Sequence, residues 1–359
     1  MFDISKNLVG LDIGSSTIKL VELRKESQGI NLLSAGIVDN PLQELKDKNT
    51  PEVEEALAES IAEACKRFDI KGKNVAIALG TTEVIFDYLK FPALEEKELA
   101  NAVRLEAEQR ISADINEVGI DYRRLGVKDK NGQENILLVA APKETTQKRV
   151  EIVEKAGLNP LIMDVEPLAL LNCLLSLIGE PLEENENISI LNIGANITNL
   201  SILSKDNVPT IRNINFGGNK FNSFISKEVK LSWKEAEQLK KEPEKLKQKG
   251  IDISKMMEKQ ASSFINEIRS SIEYTHKRSG EPMESRHRRS TDIRIKKIFL
   301  TGGGSLLAGL DRFLSENLEV EVARWNPFEK LQFSESIDDS LKPMGYFFPV
   351  AIGLGMRTA

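Results

Sequence analysis

Residues 12–19 read Asp-Ile-Gly-Ser-Ser-Thr-Ile-Lys and interrupt two runs of apolar alternation, 8–14 and 17–23. A hairpin tip is usually Asn-Gly or a similar turn pair. This tip carries the donors that an anion needs. Gly14 lets backbone N–H groups converge without a Cβ in the way. Ser15, Ser16 and Thr17 add hydroxyls, and Lys19 adds a positive charge. Asp12 would repel a phosphate directly, so its chemistry makes sense through a water held on a Mg²⁺ ion lying between carboxylate and phosphate.

Two further glycine loops match that chemistry. Gly194, Ala195 and Asn196 interrupt a second alternating stretch, ISILNIGANITNLSIL (188–203). At an offset of 180, 5 of the 15 positions from 9 to 23 are identical in it, Gly14/Gly194 among them. This is an internal repeat at half-chain spacing, as expected of two similar α/β halves. Gly302, Gly303, Gly304 and Ser305 follow a third apolar run; read as the opening of a helix, their amides favour an anion and leave room for a flat base or ribose. There is no GxxxxGK[ST] and no GxGxxG, so neither P-loop nor Rossmann chemistry is indicated.

The elements that hold these loops follow from periodicity. Strands are expected at 8–14, 17–23, 30–38, 75–80 and 84–91, and helices at 51–68 and 94–111. A strand pair joined by a Lys-Asn-Gly turn, a helix ended by Gly157, a strand (LIMDVEP) and an apolar helix from Pro167 complete the first half. The polar stretch 179–188 is the expected boundary. Beyond it come the second hairpin, a strand near 208–214, FGGNKF turning into a helix, and a Ser232/Glu235 capping box. KKEPEKLKQKG (240–250) reads as a solvated loop or helix end, 254–278 as a long helix, 276–292 as a polar basic loop, and 344–357 as a small-residue helix.

Composition narrows the class. The chain has 359 residues, 40% hydrophobic and 29% charged, with net charge −6, which fits a protein of about two domains and argues against a nucleic-acid binder. Cys65 and Cys173 lie in apolar helical patterns, and His276 and His287 lack metal-ligand spacing. No signal peptide and no membrane span is expected, since the longest apolar run, 168–178, falls short of about 20 residues. The expected compartment is the cytoplasm.

The order of loops resembles the actin-like ATPase superfamily. More closely, GLDIGSSTIKLVEL, FPALEEKELANAVRLEAEQRI with DYRRL, LNIGANITNLSIL, FGGNKF with EAEQLK, IFLTGGGSLLAGL and PVAIGLGMR together resemble the PilM family of FtsA-related type IV pilus assembly proteins, over nearly the whole chain. The resemblance implies an α/β, ribonuclease H-like fold of two lobes closing on ATP or ADP with Mg²⁺. It implies a first lobe of 1–83, 157–185 and 336–359, an extra subdomain of 84–156, a second lobe of 186–219 and 294–335, and its cap, 220–293. Gly14 to Thr17 with Lys19 match phosphate contacts and Asp12 the metal-water position. Gly194 to Asn196 match the second loop, with Gly217 and Gly218 beside it, Glu237 and Lys240 the ribose contacts, and Gly302 to Ser305 the nucleoside loop. The implied partner is a PilN-like bitopic membrane protein, whose short cytoplasmic tail docks beside the extra subdomain. Other pilus platform proteins and self-association are also implied, with attachment to the inner membrane through the partner.

One position departs. The family pattern has aspartate at the start of the second loop and this chain has Asn192, an amide with no negative charge. Binding with slow or absent hydrolysis is therefore expected, unless another carboxylate substitutes. The reading is an adaptor; the alternatives are an FtsA-like filament-forming ATPase and a small-molecule kinase. A kinase needs a carboxylate base in the cleft, and no second acidic motif is evident near the loops.

Overall fold

The computed structural model describes residues 8–26, 29–43, 51–128, 131–178, 186–204, 209–278, 294–335 and 337–357. The boundary stretch 179–185 and the basic segment 279–293 lie outside them. In chain order the strands and helices are β1 (Leu8–Ile13), β2 (Thr17–Glu26), β3 (Gly29–Asp39), α1 (Pro51–Arg67), β4 (Asn74–Leu79), β5 (Ile85–Phe91), α2 (Glu96–Arg110), β6 (Val118–Lys128), β7 (Glu134–Pro142), α3 (Lys143–Lys155), β8 (Asn159–Val165) and α4 (Glu166–Ile178). The second half adds β9 (Glu186–Ile193), β10 (Thr198–Ser204), β11 (Thr210–Ile214), α5 (Gly218–Val229), α6 (Trp233–Lys240), α7 (Pro243–Gln248), α8 (Ile253–Arg278), β12 (Arg294–Thr301), α9 (Leu310–Leu318), β13 (Glu321–Arg324), β14 (Gln332–Phe333) and α10 (Pro349–Gly355).

These strands form a sheet of order β14-β3-β2-β1-β4-β8, a second of order β11-β10-β9-β12-β13, and a small antiparallel sheet β5-β7-β6. The first sheet is apolar on both faces because helices cover both. Val9, Leu11, Ile18 and Leu20 pack with α1 and α3 through Leu57, Ile61 and Val153. Leu8, Val21 and Leu23 face the other way, into a core shared with α4, α10 and, from the second sheet, Ile188, Ile190 and Leu203. The layer α4–α10 thus lies between the sheets. Small residues permit its close packing: a Cβ on Gly353 would lie 1.8 Å from the Ala169 carbonyl oxygen, and one on Gly10 1.8 Å from that of Ala351. The second core, built on Phe216, Phe221 and Phe264, joins the second sheet to α5–α8.

Four expectations need correction. α3 does not belong with the extra subdomain, because its Ile152 and Val153 are buried in the first-lobe core, so the subdomain ends near Pro142 and not at 156. β14 pairs in parallel with β3, so the chain returns to the first sheet between Arg324 and Gln332, before the expected 336. Within the charged run 240–250, Pro243 opens a short helix, α7, anchored by buried Leu246. The tail expected as one helix over 344–357 is a 3₁₀ stretch, Asp339–Phe347, followed by α10, with Pro349 at the helix start. Among the described residues no helix is long and apolar enough to cross a membrane.

Candidate functional site

The two hairpins β1–β2 and β9–β10 bring their tips to one cleft of about 1410 Å³ between the lobes. Their turns are built alike. The Gly14 N–H donates to the Thr17 carbonyl at 3.1 Å, and the Gly194 N–H to that of Ile197 at 3.0 Å. The cross-strand pair below each turn also corresponds, Asp12 with Lys19 and Asn192 with Asn199.

Separate elements brace each tip. Asn40, after β3, donates its backbone N–H to the Ser16 carbonyl at 2.9 Å and its side-chain amide to that of Gly14 at 2.8 Å. The N-terminus of α5 does the same for the second tip: Gly218 N–H reaches the Gly194 carbonyl at 3.0 Å, and Asn219 N–H that of Ala195 at 2.8 Å. Gly217 packs so tightly there that a Cβ would sit 2.4 Å from the Ala195 oxygen. The third loop hangs from Tyr346, whose carbonyl accepts from Gly302 N–H at 2.8 Å and from the Thr301 hydroxyl at 3.0 Å. Gly302 has φ +83°, and a Cβ on it would meet the Asn192 Oδ1 at 2.4 Å, so this position demands glycine twice over.

Every residue assigned from the sequence lines the cleft except Gly217 and Ser305. Gly217 is part of the wall behind the second tip. Ser305 is fully buried and donates its hydroxyl to the Gly302 carbonyl at 2.6 Å, so it shapes the third loop from inside. That loop also differs from expectation in what it opens: Gly303–Leu306 is a 3₁₀ turn, and α9 starts only at Leu310. A helix macrodipole therefore does not point out of the glycines themselves.

The electrostatics set the first hairpin apart. Lys19 Nζ lies 3.0 Å from Asp12 Oδ2, with side-chain exposures of 12% and 7%, so the pair is nearly desolvated. Across the cleft Lys240 Nζ is 2.5 Å from Glu237 Oε2, which also accepts from the Asn222 amide at 2.5 Å. Burial would raise the Glu237 carboxyl, but Lys240, Asn222 and Lys241 hold it below the usual carboxylate range. Burial lowers the Lys240 ammonium, against the pull of Glu237. The buried Asn222 Oδ1 has no hydrogen-bond partner.

A carboxylate not assigned from the sequence also lines the cleft. Glu166 opens α4 where β8 ends. It accepts from the Asn199 amide at 3.2 Å, and the Asn199 oxygen accepts from the buried Thr81 hydroxyl at 2.9 Å. This chain of contacts runs from the first sheet to the second and back. Burial and the nearby Asp12 carboxylate push Glu166 up to about 7, opposed by Asn199, Lys19 and Arg149. Thr81, Asn199 and Asn40 were likewise unassigned; the strand-to-helix switch in MDVEP and the DNP after β3 were the available signals.

The donor set fits a nucleotide. Hydroxyls and turn amides occupy the two tips, glycine backbone forms the third wall, and carboxylates lie below. Among the described residues no cluster of three or more His, Cys, Asp or Glu exists that could hold a metal. A metal here would need oxygens from phosphate or water beside Asp12.

The family model for the type IV pilus assembly protein PilM matches residues 10–359. The chain belongs to the PilM family. Its fold is that of a solved PilM–PilN type IV pilus biogenesis complex, to which it is 28% identical over 98% of both chains, with a TM-score of 0.80. The ethanolamine utilization protein EutJ of Carboxydothermus hydrogenoformans shares the fold at 15% identity and a TM-score of 0.52, over 97% of this chain and 88% of its own. The cell shape-determining protein Mbl of Bacillus subtilis (strain 168) is 26% identical over 52% of this chain, which spans 62% of that relative's length. The expected actin-like two-lobe α/β fold is thus borne out. As a PilM-family chain, it carries Asn192 in the second tip with its amide oxygen against the third loop, and Asn192's cross-strand partner Asn199 is the residue that reaches the Glu166 carboxylate of the opposite lobe.

Proposed function

We propose that this chain is a nucleotide-binding adaptor of the type IV pilus inner-membrane platform, recruiting the cytoplasmic N-terminal tail of a PilN-like bitopic membrane protein. The observation that carries this reading is the end-to-end likeness to a chain solved in a PilM–PilN complex. The small sheet β5-β7-β6 supports it locally. It meets the first sheet at a seam of Leu79, Ala141, Val165 and Phe86; β8 is an edge strand of that sheet, and Leu161 on β8 and Ile85 at the start of β5 are exposed. An extended peptide has backbone groups to pair with there and apolar side chains to cover. The chain has its own polar anchor at this edge, Arg357 Nε on Asp164 Oδ2 at 2.6 Å.

In the same reading the cleft holds ATP or ADP with Mg²⁺. The hydroxyls of Ser15, Ser16 and Thr17 and the turn amide of Asn196 bind phosphate oxygens, while the Gly14 and Gly194 amides close the turns themselves. Lys19 neutralises them, Asp12 would help hold the Mg²⁺ ion through water, and Glu237 and Lys240 hold ribose hydroxyls. The metal would supply charge neutralisation for the triphosphate. Binding that favours the closed form shifts the lobe angle only by its difference in affinity between the two forms. Asn192 brings no charge to the second tip, and Glu166, pushed up to about 7, is partly protonated at neutral pH. Both support slow hydrolysis. In this role the protein sits in the cytoplasm and meets the membrane through its partner.

Calorimetry with the partner's N-terminal peptide, with and without Mg-ATP, tests the adaptor role. Saturable 1:1 binding is expected, with an affinity that changes between nucleotide states. No binding in either state refutes it.

A further inference from the structure

Trp233 is the one exposed aromatic side chain among the described residues; every other phenylalanine, tryptophan and tyrosine whose side chain is described is at least half-buried. Its exposure is 48%, and what it faces is the cleft. The capping box explains why it stands there. Ser232 and Glu235 cap each other, the Ser232 N–H reaching Glu235 Oε2 at 2.8 Å, so α6 starts at Trp233. From that start one face of α6 buries Ala236 and Leu239 in the second core. The other face presents Trp233, Glu237 and Lys241, spaced four apart, to the cleft.

Trp233 is therefore one turn before the Glu237–Lys240 pair on the same helix. The third loop lines the same cleft. Gly303 and Gly304 line the cleft with backbone alone, and Leu306, 38% exposed, adds an apolar side chain to its lining. A half-exposed indole lining a cleft offers a flat apolar face to any ligand group that can stack on it.

We propose that Trp233 is the base-selecting residue of this cleft: its indole stacks on the purine of the bound nucleotide, with Leu306 on the other side. This rests on the reading of the cleft as a nucleotide site and goes beyond it to purine selectivity. The order along the cleft is phosphate at the hairpin tips, ribose at Glu237 and Lys240, and base at Trp233. A purine offers more stacking area than a pyrimidine, so the site ranks ATP and GTP above CTP and UTP. Charge plays no part in that ranking, because all four carry the same triphosphate.

The test uses the full chain in a Trp325→Phe background, which leaves Trp233 as the sole indole. Calorimetry with Mg-ATP, Mg-CTP and inorganic triphosphate is run beside Trp233 fluorescence. The expected result is quenching by ATP but not by triphosphate, with ATP bound about tenfold more tightly than CTP. Trp233→Ala should weaken ATP by about the same factor and leave triphosphate unchanged, and Trp233→Phe should recover most of the loss. Circular dichroism checks that the variants fold, and the fluorescence readout stands on the parent residue in any case. If ATP binds but Trp233 is not quenched, or Trp233→Ala weakens ATP and triphosphate equally, the stacking role is wrong while the cleft reading survives. If neither ATP nor triphosphate binds, both fall.

Discussion

The two hairpin tips share a backbone and differ in chemistry. At an offset of 180 residues, Gly14 and Gly194 close the same turn, and the residue pairs beneath them, Asp12–Lys19 and Asn192–Asn199, occupy the same ladder positions. In the first lobe that pair is an ion pair shielded from water. In the second it is a pair of amides, and Asn199 is spent on Thr81 and Glu166 in the opposite lobe. A repeated scaffold has thus been divided into a tip that carries charge and a tip that carries contacts between lobes. On the proposed reading, that division makes a cleft that holds a charged ligand and polarises water slowly.

Changes to the charged tip should cost most. Asp12→Ala leaves the Lys19 ammonium nearly buried and unpaired, and should lower stability by about 3 kcal/mol in urea unfolding. It should also remove the Mg²⁺ dependence of ATP binding; a variant that binds Mg-ATP like the parent would break the assignment of this tip.

Glu166 tests the contact-carrying tip through pH. Its carboxyl is raised from 4.5 to about 7 on folding. Between those values the unfolded chain has released its proton and the folded chain has kept it, so Glu166 erodes stability as pH rises through that window. Glu166→Gln removes the erosion. It should be more stable than the parent by up to about 3 kcal/mol at pH 8, with the difference vanishing by about pH 4.5. Denaturant midpoints at the two pH values decide this, and a constant difference at both would contradict the burial-driven shift.

Asn192→Asp makes the second tip chemically more like the first. Parent single-turnover hydrolysis is expected to be slower than of order 1 per second, and the aspartate should raise it about tenfold. A fast parent rate would show that Glu166 alone suffices. Smallest in effect, Asn40→Ala removes one side-chain bond to the first tip and should cost about 1 kcal/mol, with a few-fold loss of nucleotide affinity.

How far the sequence revealed this site follows from what kind of contact each part depends on. The tips were legible because a glycine between alternating strands is a local signal, and the offset-180 repeat doubled it. The capping box at Ser232 and Glu235 was legible for the same reason and appears as expected. Glu166, Thr81 and Asn199 were not, since their meeting is fixed by the packing of α4 between two sheets and by hydrogen bonds spanning 118 and 33 residues. Ser305 misled because its small polar side chain suits a ligand and a buried turn equally. The placement of α3 misled because chain order put it beside β7, while its apolar Ile152 and Val153 belong to the core under α1.

The most direct measurement is a calorimetric titration of Mg-ATP into the parent and into Asp12→Asn, which gives both tips an amide. Saturable 1:1 binding by the parent, weakened at least tenfold by Asp12→Asn in Mg²⁺ but much less in EDTA, is the expected result. Equal affinity of the two proteins in Mg²⁺, or no binding by the parent, would contradict the division of labour between the tips.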